Sequence, residues 1–101
     1  IFPGSCLVSQ SALANSIKKA TDFTELHHED LTLHYARTLE LWRENFFRNL
    51  PAIQDLGFKD SFVKLWEFYL CYCEAGFSER YIGDFQMVFA KPGDRTLNIQ
   101  Y

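Results

Sequence analysis

The side chains in this sequence best placed for chemistry are a neighbouring histidine and tyrosine, His34-Tyr35, within LHYARTLELWREN at residues 33–45. An imidazole can serve as a general base, but it needs a placed partner to do so. A phenol, whose ordinary pKa is about 10, stays protonated at neutral pH and can donate a hydrogen bond to an anion. Tyr35 is therefore the first candidate for chemistry. The alternative is a helix-start tyrosine packed against a core, the usual fate of an aromatic at helical spacing.

Two other groupings carry reactive side chains. Cys6, Cys71 and Cys73 make an odd count, and a C-x-C pair on a helix points its sulfurs to different faces. Neither a disulfide framework nor a zinc site follows, because His27, His28 and His34 add no four-ligand spacing beside those cysteines. No metal is expected. Cys73 as a nucleophile is rejected, since no lysine or arginine adjoins it in sequence to favour the thiolate. His27, His28, Glu29 and Asp30 cluster polar groups near a strand end and are read as a solvated loop.

The elements that must position these residues follow from periodicity and caps. Pro3-Gly4-Ser5 reads as a turn, and Ser9 or Ser11 can cap a helix over about 10–20 that carries Leu13, Ile17 and Ala20 at helical spacing. Thr21-Asp22 ends it. A short strand is predicted over about 23–29, where Phe23, Glu25 and their neighbours alternate. From Tyr35 the apolar positions run Leu39, Trp42, Phe46 and Ile53 with Leu50 between, one helical face that is either core or the wall of an apolar pocket. That helical stretch, about 34–56, is broken near Asn49-Leu50-Pro51, because proline lacks an amide hydrogen and disfavours α geometry in the residue before it. Asn49 is expected to cap the second piece, which stops at Gly57. Asp60 or Ser61 then caps a helix over about 61–77, expected to be mostly buried because Phe62, Leu65, Trp66, Tyr69, Leu70, Cys73 and Phe77 cover a wide arc. A last strand over about 84–91 ends at Pro92-Gly93, and residues 94–101 read as a tail.

Composition bounds the rest. At 101 residues, 48% hydrophobic and 17% aromatic, the chain can bury one modest core, and it holds one domain or part of one. A net charge of −3 with Lys18-Lys19 as the only adjacent basic pair offers no stripe for a phosphate backbone, so nucleic acid is not expected as a partner. The apolar runs fall short of the roughly 20 residues a bilayer span needs, and the chain is read as cytoplasmic. Opening on Ile1-Phe2-Pro3-Gly4, it reads as cut from a longer protein.

Four blocks in order resemble a known family. IFPGSCLVS at the start, LHYARTLELWRENF, LGF at 56–58 and WEFYLCYCEAGFSERYIGDFQMVFAKP are similar to the C-terminal part of cyclopropane fatty acid synthases, including the mycolic acid cyclopropane synthases. The resemblance covers nearly the whole chain. It implies an α/β fold: the C-terminal portion of a class I S-adenosylmethionine-dependent (Rossmann-like) methyltransferase domain, mostly helical here, with its two terminal strands antiparallel at one edge and the helices inserted over an acyl site. It implies a lipid-biosynthetic reaction in which S-adenosylmethionine supplies the carbon for a methylene transfer to the double bond of an unsaturated acyl chain. A bound bicarbonate then takes a proton from the carbocation as the ring closes.

By the same resemblance, Tyr35 falls on the tyrosine that hydrogen-bonds the bicarbonate, and Phe2, Leu39, Tyr69 and Cys73 fall where side chains line the acyl channel. The partner implied is an unsaturated acyl lipid, with peripheral membrane contact in the parent enzyme. His34 is then a capping or surface residue, because the family's catalytic histidine lies upstream. Ser5, Asp30 and Thr32 depart from the family's usual glycine, asparagine and glycine, which alters the turn before Tyr35. The sequence holds no glycine-rich loop after a strand to cradle S-adenosylmethionine. The 101-residue chain alone is therefore expected to bind neither cofactor and to be inactive. A contrasting expectation is a free-standing helical lipid-binding or interaction module without catalysis, which should pair or cover its strand edges. Oligomeric state is not legible.

Overall fold

The structure, a computed structural model, describes residues 3–95 of the chain. Its elements run α1 (Gln10–Ala20), β1 (Thr24–Asp30), α2 (Thr32–Arg48), α3 (Leu50–Asp55), α4 (Asp60–Ser78) and β2 (Phe85–Ala90). It is mostly helical, and the two strands pair antiparallel: Phe23 meets Phe89 at one end, and the Leu31 N–H donates to the Asp84 carbonyl at 2.8 Å at the other. The chain divides into two compact units, Ile1–His28 with Met87–Tyr101, and Glu29–Gln86.

In the first unit, α1 starts where a hydroxyl can replace a missing helix partner. The Ala12 N–H donates to Ser9 Oγ at 3.1 Å, so Ser9 rather than Ser11 is the cap. Lys18 and Lys19 in the last turn oppose the helix dipole, and the Thr21 hydroxyl donates to the Ile17 carbonyl at 2.7 Å. α1 leaves a groove of about 740 Å³ against the strands, lined by Leu13, Ile17, Phe23, His28, Met87 and Phe89 among others. At its margin Gln10 Nε2 hydrogen-bonds His28.

The second unit is built on the packing of α2 against α4. Ala36 and Leu39 of α2 and Leu70 of α4 are its buried apolar residues, and Arg43 Nη2 bridges to Glu74 Oε2 across the helices at 3.1 Å. Tyr35, Leu39, Arg43, Phe46, Leu50 and Ile53 recur every three to four residues, and all are buried or half-buried. The apolar spacing read from Tyr35 thus marks the packed face except at Trp42, which is 50% exposed, and the half-buried Arg43 takes that turn instead.

Several local expectations are corrected. α2 begins at Thr32, two residues before His34, because Asp30 Oδ1 accepts the Thr32 N–H at 2.9 Å and satisfies an amide of the first turn. Asn49 stands at the head of α3 but does not cap it; its Nδ2 donates back to the Asn45 carbonyl at 2.8 Å, and Pro51 occupies the first turn, where an amide hydrogen has no carbonyl to meet. α4 starts at Asp60, whose charge favours the first turn, and the extended residue before it is Lys59, with no side-chain cap. His27–Asp30 are solvated or half-buried but lie in β1 rather than in a loop, because their backbone belongs to the pairing with β2.

The largest correction concerns α4, which is not mostly buried. Of the arc only Leu70 is buried and Leu65 stays 52% exposed, because α2 covers one stripe of it, and Phe68 and Tyr72 outside the arc are 65% and 66% exposed. The strands begin or end one residue from expectation, and most of the tail at 94–101 lies outside the described residues.

Candidate functional site

Three of the residues singled out from sequence meet where the first turn of α2 lies over α4. Tyr35 is half-buried, with its ring 4.6 Å from that of Phe77 and 6.0 Å from that of Trp42, both edge-on. The positions follow from helical spacing: Tyr35 and Trp42 are two turns apart on α2, and Tyr69, Cys73 and Phe77 are successive turns of α4. Burial holds the Tyr69 phenol above its ordinary pKa, with smaller contributions from Cys73, which is also its hydrogen-bond partner, and from Tyr35. Tyr69 therefore stays a neutral donor well past neutral pH.

An aromatic ladder continues from Tyr69 along the same side of α4. Trp66 lies 5.2 Å from Tyr69, Phe62 5.8 Å from Trp66 and Phe58 4.4 Å from Phe62, ring centre to ring centre. Leu39, 3% exposed, lies on the packed face of α2 one turn beyond Tyr35. The surroundings of Tyr35 are thus an apolar and aromatic wall carrying two hydroxyls and one thiol. Such a wall suits a hydrocarbon chain and can orient a small polar group at few points.

Not every candidate joins this cluster. Phe2 lies outside the described residues. His34 is exposed, and its carbonyl accepts from the Thr38 hydroxyl at 3.1 Å, a surface position. None of the described candidate site residues lines the groove under α1. Cys6 and Cys71 are exposed and Cys73 half-buried, as two-residue spacing on a helix requires for the latter pair, and all three are free thiols. Among the described residues no group of three or more His, Cys, Asp or Glu side chains could hold a metal ion, and no helix is long and apolar enough to cross a membrane.

Comparison with known proteins gives this cluster a context. A family model described as mycolic acid cyclopropane synthetase matches residues 1–87, a span containing all five candidate residues. The chain belongs to this family. Among curated members, a tuberculostearic acid methyltransferase of Mycobacterium tuberculosis is 38% identical over 93 residues, 92% of this chain and 22% of the relative. A cyclopropane-fatty-acyl-phospholipid synthase of Escherichia coli is 29% identical over 99 residues, 98% of this chain and 25% of that protein. A probable fatty acid methyltransferase of Pseudomonas putida is 32% identical over 92 residues, 91% of this chain and 23% of its own length. The chain thus spans about a quarter of the length of the family members it matches.

Two features of the site were not legible as such. Trp42 and Phe77 appear in the sequence as ordinary apolar positions, yet they are the rings that hold Tyr35. Asp30 and Thr32, which the sequence marks as departures from the family pattern and, for Asp30, as part of a solvated polar cluster, join Arg80 and Asp84 in a hydrogen-bonded junction at the head of α2. The one sequence signal for that junction is an arginine where a helix usually ends in glycine.

Proposed function

We propose that this chain is the acyl-site end of a lipid methyltransferase that transfers a methylene group from S-adenosylmethionine to the double bond of an unsaturated acyl chain. The convergence of Tyr35, Tyr69 and Cys73 on one aromatic seam, inside the stretch matched by the family, carries the reading. β1 and β2 would be the final antiparallel pair of a class I methyltransferase sheet, with α2 to α4 inserted over the acyl site. The relatives' names, which speak of fatty acid and cyclopropane-fatty-acyl-phospholipid products, support the substrate class.

Within this reading each residue has a separate task. Tyr35 donates its hydroxyl hydrogen to a bicarbonate oxygen, and its ring, held between Phe77 and Trp42, keeps bulk water from the reacting double bond. A phenol half-buried among rings suits such an anion, since it is a single directed donor in a poorly solvated setting. Tyr69, Cys73, Leu39 and Phe2 line the path of the acyl tail. S-adenosylmethionine supplies an electrophilic methyl group on its sulfonium, and its binding belongs to a part of the parent protein outside this chain, because the sequence holds no glycine-rich loop for it.

The test is Tyr35→Phe in the intact protein, assayed by transfer of labelled carbon from S-adenosylmethionine into unsaturated phospholipid. Loss of one donor to a reacting anion lowers kcat by about a hundredfold in comparable sites, and a loss of that order is expected with KM for lipid little changed. A variant as fast as the parent would remove Tyr35 from the mechanism.

A further inference from the structure

Among the described residues Arg80, at φ 57°, is the only non-glycine residue with a positive φ. It stands at the end of α4, where the Tyr81 N–H donates to the Gly76 carbonyl at 2.8 Å and the Arg80 N–H to the Phe77 carbonyl at 3.1 Å. This paired closure favours glycine at the left-handed position, because a β-carbon there crowds the backbone. An arginine in that place needs another use.

Its side chain supplies one. Arg80 Nη1 donates to Asp30 Oδ2 at 2.8 Å, fifty residues away in sequence. Asp30 Oδ1 accepts the Thr32 N–H at 2.9 Å. The Thr32 hydroxyl, on a residue only 1% exposed, accepts the Asp84 N–H at 3.2 Å and is also hydrogen-bonded to Asp30. The Leu31 N–H donates to the Asp84 carbonyl at 2.8 Å, and the Leu31 carbonyl accepts the Tyr35 N–H at 2.9 Å. The end of α4, the end of β1 and the approach to β2 are thereby tied to the first turn of α2, whose next residue toward the site is Tyr35. Phe77, against which the Tyr35 ring rests, lies three residues before Arg80 on the same helix end.

The Arg80 and Asp30 side chains are 56% and 38% exposed, and a pair so open to water adds little to stability. The left-handed backbone opposes stability as well. What the pair does offer is geometric: it fixes the turn that sets where the Tyr35 hydroxyl points. We propose that Arg80 and Asp30 are positioning residues for Tyr35, an inference that rests on the acyl-site reading above.

Arg80→Gly separates this from a merely structural role, because glycine fits the left-handed position and the variant should fold. In the intact protein, with unsaturated phospholipid vesicles and labelled S-adenosylmethionine, Arg80→Gly is expected to keep or raise Tm while kcat falls about ten- to a hundredfold, the scale of a misplacement near 1 Å. KM for lipid should stay within about twofold, since the acyl wall is untouched. Asp30→Asn should lower kcat to a similar degree with KM for lipid little changed, Arg80→Lys should recover part of the loss, and neither Arg80→Gly nor Asp30→Asn should lower the rate further on a Tyr35→Phe background. The clamp is overturned if Arg80→Gly retains full kcat while Tyr35→Phe is impaired, an outcome that leaves the acyl-site reading standing. It is equally overturned if the Arg80→Gly and Tyr35→Phe losses simply multiply, or if the loss lies in KM. A fully active Tyr35→Phe would overturn the reading and the clamp together.

Discussion

Asp30 shows how a single carboxylate links sequence to a measurable property of the fold. Hydrogen bonds from the Thr32 hydroxyl, the Arg80 guanidinium and the Thr32 N–H, in that order of weight, hold its carboxyl well below the ordinary carboxylate range. A group whose folded pKa is depressed binds its proton more readily in the unfolded chain. Its contribution is therefore complete above the unfolded value of about 3.9 and is lost as pH falls toward the folded value. Urea midpoints of the protein and of Asp30→Asn should accordingly differ most at neutral pH and converge as pH drops through about 4. The other carboxylates are common to both proteins, so the difference isolates Asp30. A gap that stays constant down to about pH 3 would mean that the ionised form has no special partners.

The same scale shows what the sequence could and could not reveal about the site. Tyr69 and Cys73 are one helical turn apart, and Tyr35 and Leu39 likewise, so periodicity alone puts each pair on one face. Bringing those faces together needed only that both be apolar. The junction of Asp30, Thr32, Arg80 and Asp84 is different, because its bonds cross some fifty positions and its strain sits at one left-handed residue. Nothing local in HHED marks Asp30 as more than a solvated carboxylate, and only its partner across the fold shows that it is held.

Among elements, α2 and α4 carry the second unit, and the contacts between them differ in kind. Leu70 is 3% exposed, and truncating it leaves a void that the neighbouring helix cannot fully close. Leu70→Ala is expected to lower stability by about 2–5 kcal/mol, read as a shifted urea midpoint. Arg43 and Glu74, 34% and 22% exposed at the side chain, remain partly solvated, so Glu74→Gln should shift stability by about 1 kcal/mol or less. A larger effect from Glu74→Gln than from Leu70→Ala would show that charge, not packing, holds the helices together. The order of elements was legible throughout, since each has a clean period and a turn signal between it and the next. The starts of α2 and α4 were missed by two residues and one, because satisfaction of the first amides came from Asp30 for α2 and from no side chain for α4. The burial of α4 was overread for a different reason: a wide apolar arc states what a helix can bury, and α2 covers only part of it.

At the scale of the molecule, the buried apolar residues among those described are Ala36, Leu39 and Leu70 in the second unit and Ala90 in the first, few beside the apolar surface left open. Leu7 is 81% and Leu56 77% exposed, and the Phe68 and Tyr72 rings stack at 5.8 Å on the uncovered side of α4. Surfaces of this kind seek cover from a second molecule or from more chain. The 101-residue chain prepared by itself is thus expected to self-associate as its concentration rises, visible as a concentration-dependent mass in sedimentation. If the acyl-site reading is right, calorimetric titration of the same sample with S-adenosylmethionine should give no saturable heat, because the residues that hold the cofactor lie elsewhere in the parent. Two outcomes would count against that assignment: a chain that stays monomeric at about millimolar concentration, the top of the range in which exposed apolar surface drives association, and micromolar binding of the cofactor to the chain alone. The first would favour a self-sufficient module whose open surfaces are its working faces. The second would place the cofactor site within these residues, and the division of labour proposed for the parent protein would have to be redrawn.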